Sequence, residues 1–156
     1  MYTEIERKFL VKGNFKNSAI KSSKIAQGFL STVPERTVRV RIYDSKGFIT
    51  VKGLSNANGT TRFEWEKEIS EVEAQKLLEL CEPVIIEKMR YIIPLTDTLY
   101  FEVDEFLGAN IGLVIAEIEL PEEDFYFEKP EWLGEEVTGQ AKYYNSMLSK
   151  KPFSNW

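Results

Sequence analysis

The feature that most constrains the fold is a hydrophobic alternation of period two, which recurs from the first residues to about residue 120. This alternation is typical of β-strands, because successive side chains of a strand point to opposite faces of its sheet. Polar or glycine-containing segments interrupt it, and two of them, Asp44-Ser45-Lys46-Gly47 and Asn56-Ala57-Asn58-Gly59, have the composition of hairpin turns. The pattern predicts eight strands, at residues 3–11, 24–31, 37–43, 48–53, 61–69, 84–93, 99–106 and 113–120.

Helices are predicted at three places. Ser70 and Glu73 have the spacing of a capping box, and the apolar residues that follow share one face of a helix that reaches residue 81. A short helix is expected at residues 15–21, and a closing amphipathic helix at residues 139–150. Many strands with few helices favour a mainly β (α+β) fold, an eight-stranded antiparallel closed barrel with flanking helices. A chain of 156 residues suits one such domain, residues 1–156.

The composition limits the chemistry that is possible. The chain has no histidine and a single cysteine, Cys81, so Ser-His and Cys-His nucleophile pairs are excluded and an ordinary zinc site is not expected. Cys81 is expected to be a buried and inert thiol. Any bound metal must therefore be held by oxygen ligands.

The charge and hydropathy patterns also bear on location and partners. The N-terminal sequence MYTEIERKFL carries acids where a signal peptide needs basic and then apolar residues. No apolar run approaches the roughly 20 residues that span a bilayer, so we expect a cytoplasmic protein without membrane contact. The net charge of −5 argues against non-specific nucleic-acid binding. Both a monomer and a homodimer fit the sequence.

Like charges fall two residues apart on most predicted strands and therefore share a face. The acidic pairs are Glu4 and Glu6, Glu64 and Glu66, Glu102 and Asp104, and Glu117 and Glu119. The basic pairs are Arg39 and Arg41 and Lys88 and Arg90, and the same faces carry Lys8, Lys52 and Arg62.

For any one strand, a solvated sheet face is the simpler interpretation, and a β-sandwich with such a face is the alternative fold. The pattern spans seven of the eight predicted strands, however, and like charges on neighbouring strands repel one another. Clusters of like charge that are present despite this repulsion indicate that the face binds a ligand. Carboxylates suit Mg²⁺ or Mn²⁺, and grouped Arg and Lys suit phosphate oxygens, so a metal-chelated polyphosphate would satisfy both.

The opening segment EIERKFL resembles the ExExK signature of the CYTH superfamily, the triphosphate tunnel metalloenzymes, with Glu4, Glu6 and Lys8 at its defining positions. The resemblance continues in order at Gln27-Gly28-Phe29-Leu30, Thr37-Val38-Arg39-Val40-Arg41, Val51-Lys52-Gly53, Arg62-Phe63-Glu64-Trp65-Glu66, Lys88-Met89-Arg90-Tyr91, Glu102-Val103-Asp104 and Glu117-Ile118-Glu119. It covers nearly the whole chain. It implies an eight-stranded tunnel with the charged face pointing inward, which alternation alone does not establish.

The resemblance also implies roles for individual residues. The implied metal ligands are Glu4, Glu6, Glu117 and Glu119, with Glu102 and Asp104 available to a second ion. The implied triphosphate ligands are Arg39, Arg41, Lys52, Lys88 and Arg90, together with Lys8 and Arg62, for which a structural ion pair is the alternative. Glu4, Glu6 and Lys8 are the candidate catalytic residues.

The function implied by the resemblance is metal-dependent hydrolysis of a triphosphate, with inorganic tripolyphosphate as the first candidate and orthophosphate as the product. The alternatives are a class IV adenylate cyclase, a thiamine or nucleoside triphosphatase, and a non-catalytic polyphosphate-binding module, because the fold does not separate them. The proton of the attacking water could pass to a carboxylate, to Lys8 in its neutral form, or to the substrate.

Overall fold

The computed structural model describes residues 2–156, and within them nine antiparallel strands form one continuous sheet. The strands are β1 (Thr3–Val11), β2 (Lys21–Ser31), β3 (Thr37–Tyr43), β4 (Lys46–Lys52), β5 (Thr61–Ile69), β6 (Ile86–Pro94), β7 (Tyr100–Phe106), β8 (Val114–Glu119) and β9 (Leu133–Glu136). The first eight follow the order β5-β4-β3-β2-β6-β7-β8-β1, and pairing of β1 with β5 closes them into a barrel. The predicted eight-stranded antiparallel barrel is confirmed.

β1 holds the barrel together because both of its edges are paired. One edge pairs with β8, where Lys8 lies opposite Glu117. The other edge is shared: Glu4 pairs with Arg62 of β5, and Phe9 pairs with Glu136 of β9. β9 was not predicted from the sequence, since a strand of four residues is too short to show alternation.

The helices differ from the predictions more than the strands do. The helix α1 (Glu71–Leu78) has the predicted capping box, but it ends before residue 81. The helix predicted at residues 15–21 is wrong, because only a 3₁₀ turn at Lys16–Ser18 forms before β2 begins. The predicted closing helix is also wrong: a 3₁₀ turn at Ala141–Tyr143 and the short helix α2 (Asn145–Leu148) replace it.

The closing helix is interrupted at Tyr144, whose backbone is extended, with φ −70° and ψ 137°. An extended residue cannot continue the i to i−4 hydrogen bonding of an α-helix. Within residues 2–156, no helix is long and apolar enough to cross a membrane.

The larger apolar core lies outside the barrel wall. Outward-facing residues of β1, β7 and β8, among them Phe9, Phe101 and Ile118, are fully buried there. Their cover comes from Trp132 and Phe127, which lie in the connection between β8 and β9. The helix α1 packs on β3 and β4.

A second apolar cluster closes one end of the barrel from inside. Phe29 lies opposite Arg39, and Phe106 lies opposite Lys88, so these aromatic rings share the inner face with the charged residues. Leu148 of α2 packs against them and is completely buried. The interior is therefore charged along its middle and apolar at one end.

Cys81 lies just after α1 and packs on β2. A Cβ atom added to Gly28 would lie 2.9 Å from Cys81 Cβ, so the two elements touch only because residue 28 is glycine. The thiol is partly rather than fully buried. Its pKa is raised by that burial and by the neighbouring Glu82 carboxylate, which keeps it in the unreactive thiol form.

The packing of Trp132 over the outer apolar core leads to a prediction about stability. Trp132 stacks edge-on against Phe101, with ring centroids 5.0 Å apart, and is 8% exposed. We expect Trp132→Ala to lower the free energy of unfolding by about 3–5 kcal/mol, measured by urea denaturation. Tyr126→Ala in the same segment is the control, because Tyr126 is 83% exposed and its loss should change stability by less than about 0.5 kcal/mol. Equal effects of the two substitutions would contradict this account of the core.

The ion pair that ties β9 to β1 makes a second prediction. Arg7 donates from Nε and Nη2 to the two Glu136 oxygens at 2.8 and 2.7 Å. The hydrogen bond from Arg7 lowers the pKa of Glu136 below its ordinary 4.5. A lowered carboxyl pKa stabilises the fold above the unfolded-state pKa, and this contribution is lost as the pH falls through the folded-state pKa.

Glu136→Gln should therefore lower the melting temperature at neutral pH by roughly 2–4 °C, the effect of about 1 kcal/mol for a partly exposed pair. The difference from wild type should shrink as the pH falls below about 4.5, because the wild-type carboxylate is then protonated as well. Thermal melts across this range test the prediction. A constant difference at every pH would show that the charge of Glu136 contributes nothing.

Candidate active site

The middle of the barrel encloses a cavity of about 210 Å³ that is lined almost entirely by polar side chains. The sequence-predicted residues that line it are Glu4, Glu6, Lys8, Arg39, Arg41, Lys52, Arg62, Lys88, Arg90, Glu102, Glu117 and Glu119. The remaining predicted residue, Asp104, is buried and contacts Lys88 and Arg90. The structure thus brings the predicted residues together in one place.

One wall of the cavity is anionic. Glu6 of β1 lies directly opposite Glu119 of β8, and opposed residues of an antiparallel pair point to the same face. Burial raises the pKa of Glu6 well above its ordinary value, and repulsion from Glu117 and Glu4 raises it further. Burial and the Glu4 carboxylate also raise the pKa of Glu119. Negative charge on this wall therefore exceeds what the protein's own cations neutralise.

Glu117 differs from its two neighbours because it has cationic contacts. Burial acts to raise its pKa, but Lys8, a hydrogen bond from Glu6 and Arg90 outweigh burial and hold it well below the ordinary value. Lys8 Nζ lies 3.8 Å from Glu117 and Arg90 Nη2 lies 3.7 Å from it. Within the Glu6–Glu117 pair, Glu6 therefore binds a proton more readily and Glu117 ionises first.

These carboxylates have the chemistry of a site for a hard divalent cation. Oxygen-only donors with uncompensated negative charge are the ligands that Mg²⁺ and Mn²⁺ prefer, so the residues of the anionic wall fit such an ion. Across residues 2–156, however, no three acidic side chains converge in positions that could already hold a metal. The donors are adjacent, but their side-chain positions do not form a coordination shell.

Glu4 is neutralised by the protein itself. Its two oxygens each lie 3.1 Å from Lys52 Nζ, and Arg62 Nε lies 3.6 Å away. Burial acts to raise the pKa of Glu4, but the charges of Lys52 and Arg62 outweigh it and the pKa is lowered. Lys52 is shared with Glu64 at 3.4 Å, so β1, β4 and β5 are joined by one ionic network.

The facing wall is cationic. Arg39 and Arg41 of β3 share a single carboxylate, Glu66, at 3.5 and 3.1 Å, and Thr50 donates to the same oxygen. Within the described residues, the buried Nε atoms of both arginines have no hydrogen-bond partner. Burial and repulsion from Arg41 lower the pKa of Arg39 to about 10. Positive charge on this wall therefore exceeds the acids that the protein supplies.

Lys88 and Arg90 are held by Asp104, which is 2% exposed. Arg90 makes a bidentate contact with both Asp104 oxygens at 2.8 and 2.9 Å, and Lys88 Nζ lies 2.8 Å from one of them. Burial lowers the pKa of Lys88 to about 8 despite this partner. With both oxygens engaged, Asp104 has the geometry of a residue that orients two cations, and its predicted role as a metal ligand is not favoured.

Several residues of the cavity were not singled out from the sequence. Thr37 and Thr50 share a face with Arg39 and Lys52, and Tyr100 shares one with Glu102, so alternation could have identified them. Tyr144, just before α2, and Asn145, the first residue of α2, also reach the cavity. The Tyr144 ring lies 5.1 Å from Lys8 Nζ, a cation–π contact that no sequence pattern indicated.

Comparisons with known proteins agree with this geometry. A CYTH domain model matches residues 2–152. An inorganic triphosphatase of Acetivibrio thermocellus is 48% identical and aligns over 100% of this chain and 99% of its own length. An inorganic triphosphatase of Nitrosomonas europaea is 35% identical over 94% of this chain and 97% of its own length.

The fold comparison gives the same result. A crystal structure of an inorganic triphosphatase superposes with a TM-score of 0.67 at 34% identity, covering 94% of this chain and 97% of its own. The family model spans nearly the whole chain and includes every residue of the cavity, the last of which is Ser146. The chain therefore belongs to the CYTH domain family.

Proposed function

We propose that this protein is a divalent-metal-dependent triphosphatase that hydrolyses inorganic tripolyphosphate and releases orthophosphate. The observation that carries the proposal is the opposition of an uncompensated anionic wall and an uncompensated cationic wall within one cavity. A chelate of a metal ion with a polyphosphate presents positive charge to one wall and negative charge to the other. The names of the two relatives, both inorganic triphosphatases, support this substrate class.

The cationic side chains are the proposed phosphate ligands. Arginine donates N–H groups in a planar fork that matches two phosphate oxygens, and lysine adds a point charge. The proposed ligands are Lys8, Arg39, Arg41, Lys52, Arg62, Lys88 and Arg90. Asp104 keeps Lys88 and Arg90 in fixed positions, so their donors need no reorganisation when the charge of the phosphoryl group redistributes.

The carboxylates of the anionic wall are the proposed metal ligands. Glu6, Glu117 and Glu119 are adjacent across β1 and β8, and Glu4 joins them if substrate takes over its partner Lys52. When bound at these carboxylates, Mg²⁺ or Mn²⁺ supplies charge neutralisation for the phosphate oxygens. Glu102 lies on the same cavity beside Tyr100, and ligation of a second ion there stays a prediction.

Hydrolysis of a phosphate anhydride requires positioning and charge stabilisation more than covalent catalysis. Water attacks the terminal phosphorus, the bridging P–O bond breaks, and tripolyphosphate yields orthophosphate and pyrophosphate. Arg39 and Arg41 are placed to stabilise charge on the equatorial oxygens, because within the described residues their guanidinium groups share one acid, Glu66. A cytoplasmic location and a monomeric or dimeric state stay predictions from the sequence.

The test is a substrate panel. The purified protein is incubated with Mg²⁺ or Mn²⁺ and, separately, with tripolyphosphate, ATP and thiamine triphosphate, while orthophosphate and cyclic AMP are followed. We expect tripolyphosphate to be hydrolysed with the highest kcat/KM. We expect Glu6→Gln to lower that value by at least about a hundredfold, because one metal ligand loses its charge.

The matched control is Glu135→Gln, an exposed acid on β9 whose substitution should leave kcat/KM unchanged. Thermal melts of both variants establish that the fold persists. Cyclic AMP formation from ATP would make the protein a cyclase, faster turnover of ATP or thiamine triphosphate would make it an organic triphosphatase, and binding without turnover would make it a binding module. Wild-type turnover by Glu6→Gln would contradict the metal assignment.

The sharing of Glu66 by Arg39 and Arg41 leads to a further prediction. Arg39→Lys keeps a positive charge but loses the planar fork, so KM for tripolyphosphate should rise by about tenfold. Arg36→Lys, at an exposed position before the same strand, is the control and should not change KM. Steady-state kinetics measures both. An unchanged KM in Arg39→Lys would show that the cavity recognises charge at this position without using the guanidinium geometry.

A further inference from the structure

The segment between the 3₁₀ turn at residues 141–143 and α2 enters the closed end of the barrel. Tyr143 and Leu148 pack into the inner apolar cluster, where both are buried. Trp156 stacks edge-on against Tyr143 at 5.3 Å, so the tail of the chain packs on its own barrel. These contacts fix the position of the residues between them, of which Tyr144, Asn145 and Ser146 line the charged cavity.

Asn145 connects two side chains of the barrel interior. Its Oδ1 accepts a hydrogen bond from Lys88 Nζ at 2.9 Å and another from Gln27 Nε2 at 2.8 Å. A lysine ammonium is only a donor, so the amide oxygen must face Lys88 and the orientation of the amide is determined. The Nδ2 atom, with its two N–H donors, is therefore directed away from both partners.

Packing alone does not explain the hydrogen-bonded pair of Gln27 and Asn145. Gln27 is completely buried, and burial of an amide is costly unless the group is hydrogen-bonded. The inner cluster at this end is apolar, with Phe29, Tyr143 and Leu148, so apolar residues at positions 27 and 145 together would suit it without that cost. A polar pair is present here instead, and one of its members lines a cavity rich in phosphate-binding side chains.

We propose that Asn145 is a substrate-binding residue at the closed end of the cavity, where its Nδ2 donates a hydrogen bond to an anionic phosphate oxygen. This role rests on the proposed triphosphate substrate. Asn145 adds a neutral donor beside Lys88, so it increases the affinity for an anion without adding to the repulsion among the buried cations. Its Oδ1 at the same time holds Lys88 in position.

The direct contact and the effect through Lys88 can be separated by a double-mutant cycle. Asn145→Ala is made in the wild-type chain and in Lys88→Met, and the Kd of tripolyphosphate is measured by calorimetry in a chelator, so that no turnover occurs. Loss of a hydrogen bond to a charged group should weaken binding by at least about tenfold. We expect most of this loss to persist in the Lys88→Met background. Lys150→Ala, which removes only an exposed pair with Glu82, is the control.

A second measurement does not depend on the folding of any variant. The side-chain amide resonance of Asn145 in ¹⁵N-labelled wild-type protein should shift on titration with tripolyphosphate, because its N–H groups gain an anionic acceptor. Triple-resonance correlation of the side-chain amide with the backbone of Asn145, in wild-type protein labelled with ¹³C and ¹⁵N, assigns that resonance. An unshifted resonance at saturation, or loss of the Asn145→Ala effect in Lys88→Met, would overturn the proposal.

The outcomes also distinguish this proposal from the function on which it rests. Tripolyphosphate binding through Asn145 without hydrolysis in Mg²⁺ or Mn²⁺ would support the contact and overturn the triphosphatase activity. Hydrolysis with an unchanged Kd in Asn145→Ala would support the activity and overturn the contact. Absence of any tripolyphosphate binding by the wild-type protein would overturn both.

Discussion

The structure depends on enclosing charged side chains without neutralising all of them. Buried charges are costly unless paired, and the pairs Lys52–Glu4 and Arg90–Asp104 offset part of that cost. Among the described residues, the remaining buried charge is not fully paired. Its negative part lies on the carboxylates of the β1–β8 wall, and its positive part lies on the guanidinium groups of β3. A salt bridge across the cavity would remove this excess and the reason to bind a ligand. Separation of the two walls therefore preserves the excess charge to which the proposed function assigns the binding of a metal–polyphosphate chelate.

Stability and function lie on opposite faces of the same strands. In β1, Phe9 belongs to the outer apolar core and its neighbour Lys8 faces the cavity. The outer core, covered by Trp132 and Phe127, supplies the apolar burial that a charged interior cannot supply. An eight-stranded barrel otherwise fills its interior with apolar side chains, and here only the closed end does so, around Phe106. The period-two alternation thus places the apolar residues that stabilise the fold and the charged residues that line the cavity on opposite faces of each strand.

Much of this could be predicted from the sequence, because alternation is a local property that strands express directly. The eight strands and the charged faces of Arg39, Lys88 and Glu117 follow from it. Which face is enclosed did not follow from it, since either face of an alternating strand can be buried, and the family resemblance supplied that step. The closed end was predicted wrongly because Tyr144 is extended for tertiary reasons: the ring lies over Lys8 and the next residue bonds to Lys88. The helical periodicity of a sequence does not depend on such tertiary contacts, so it could not indicate them.

Among the described residues, the seam between β1 and β5 is the shortest ladder of the barrel wall. Within residues 2–156, β1 and β5 pair through three residues, Thr3 to Ile5 with Phe63 to Thr61, whereas each other ladder of the barrel wall joins five or more pairs. Glu4 and Arg62 lie opposite each other in this seam, and both face the cavity. Their ion pair at 3.6 Å therefore adds side-chain attraction where backbone pairing is least. Glu4 and Arg62 therefore take part both in closing the barrel and in lining the cavity.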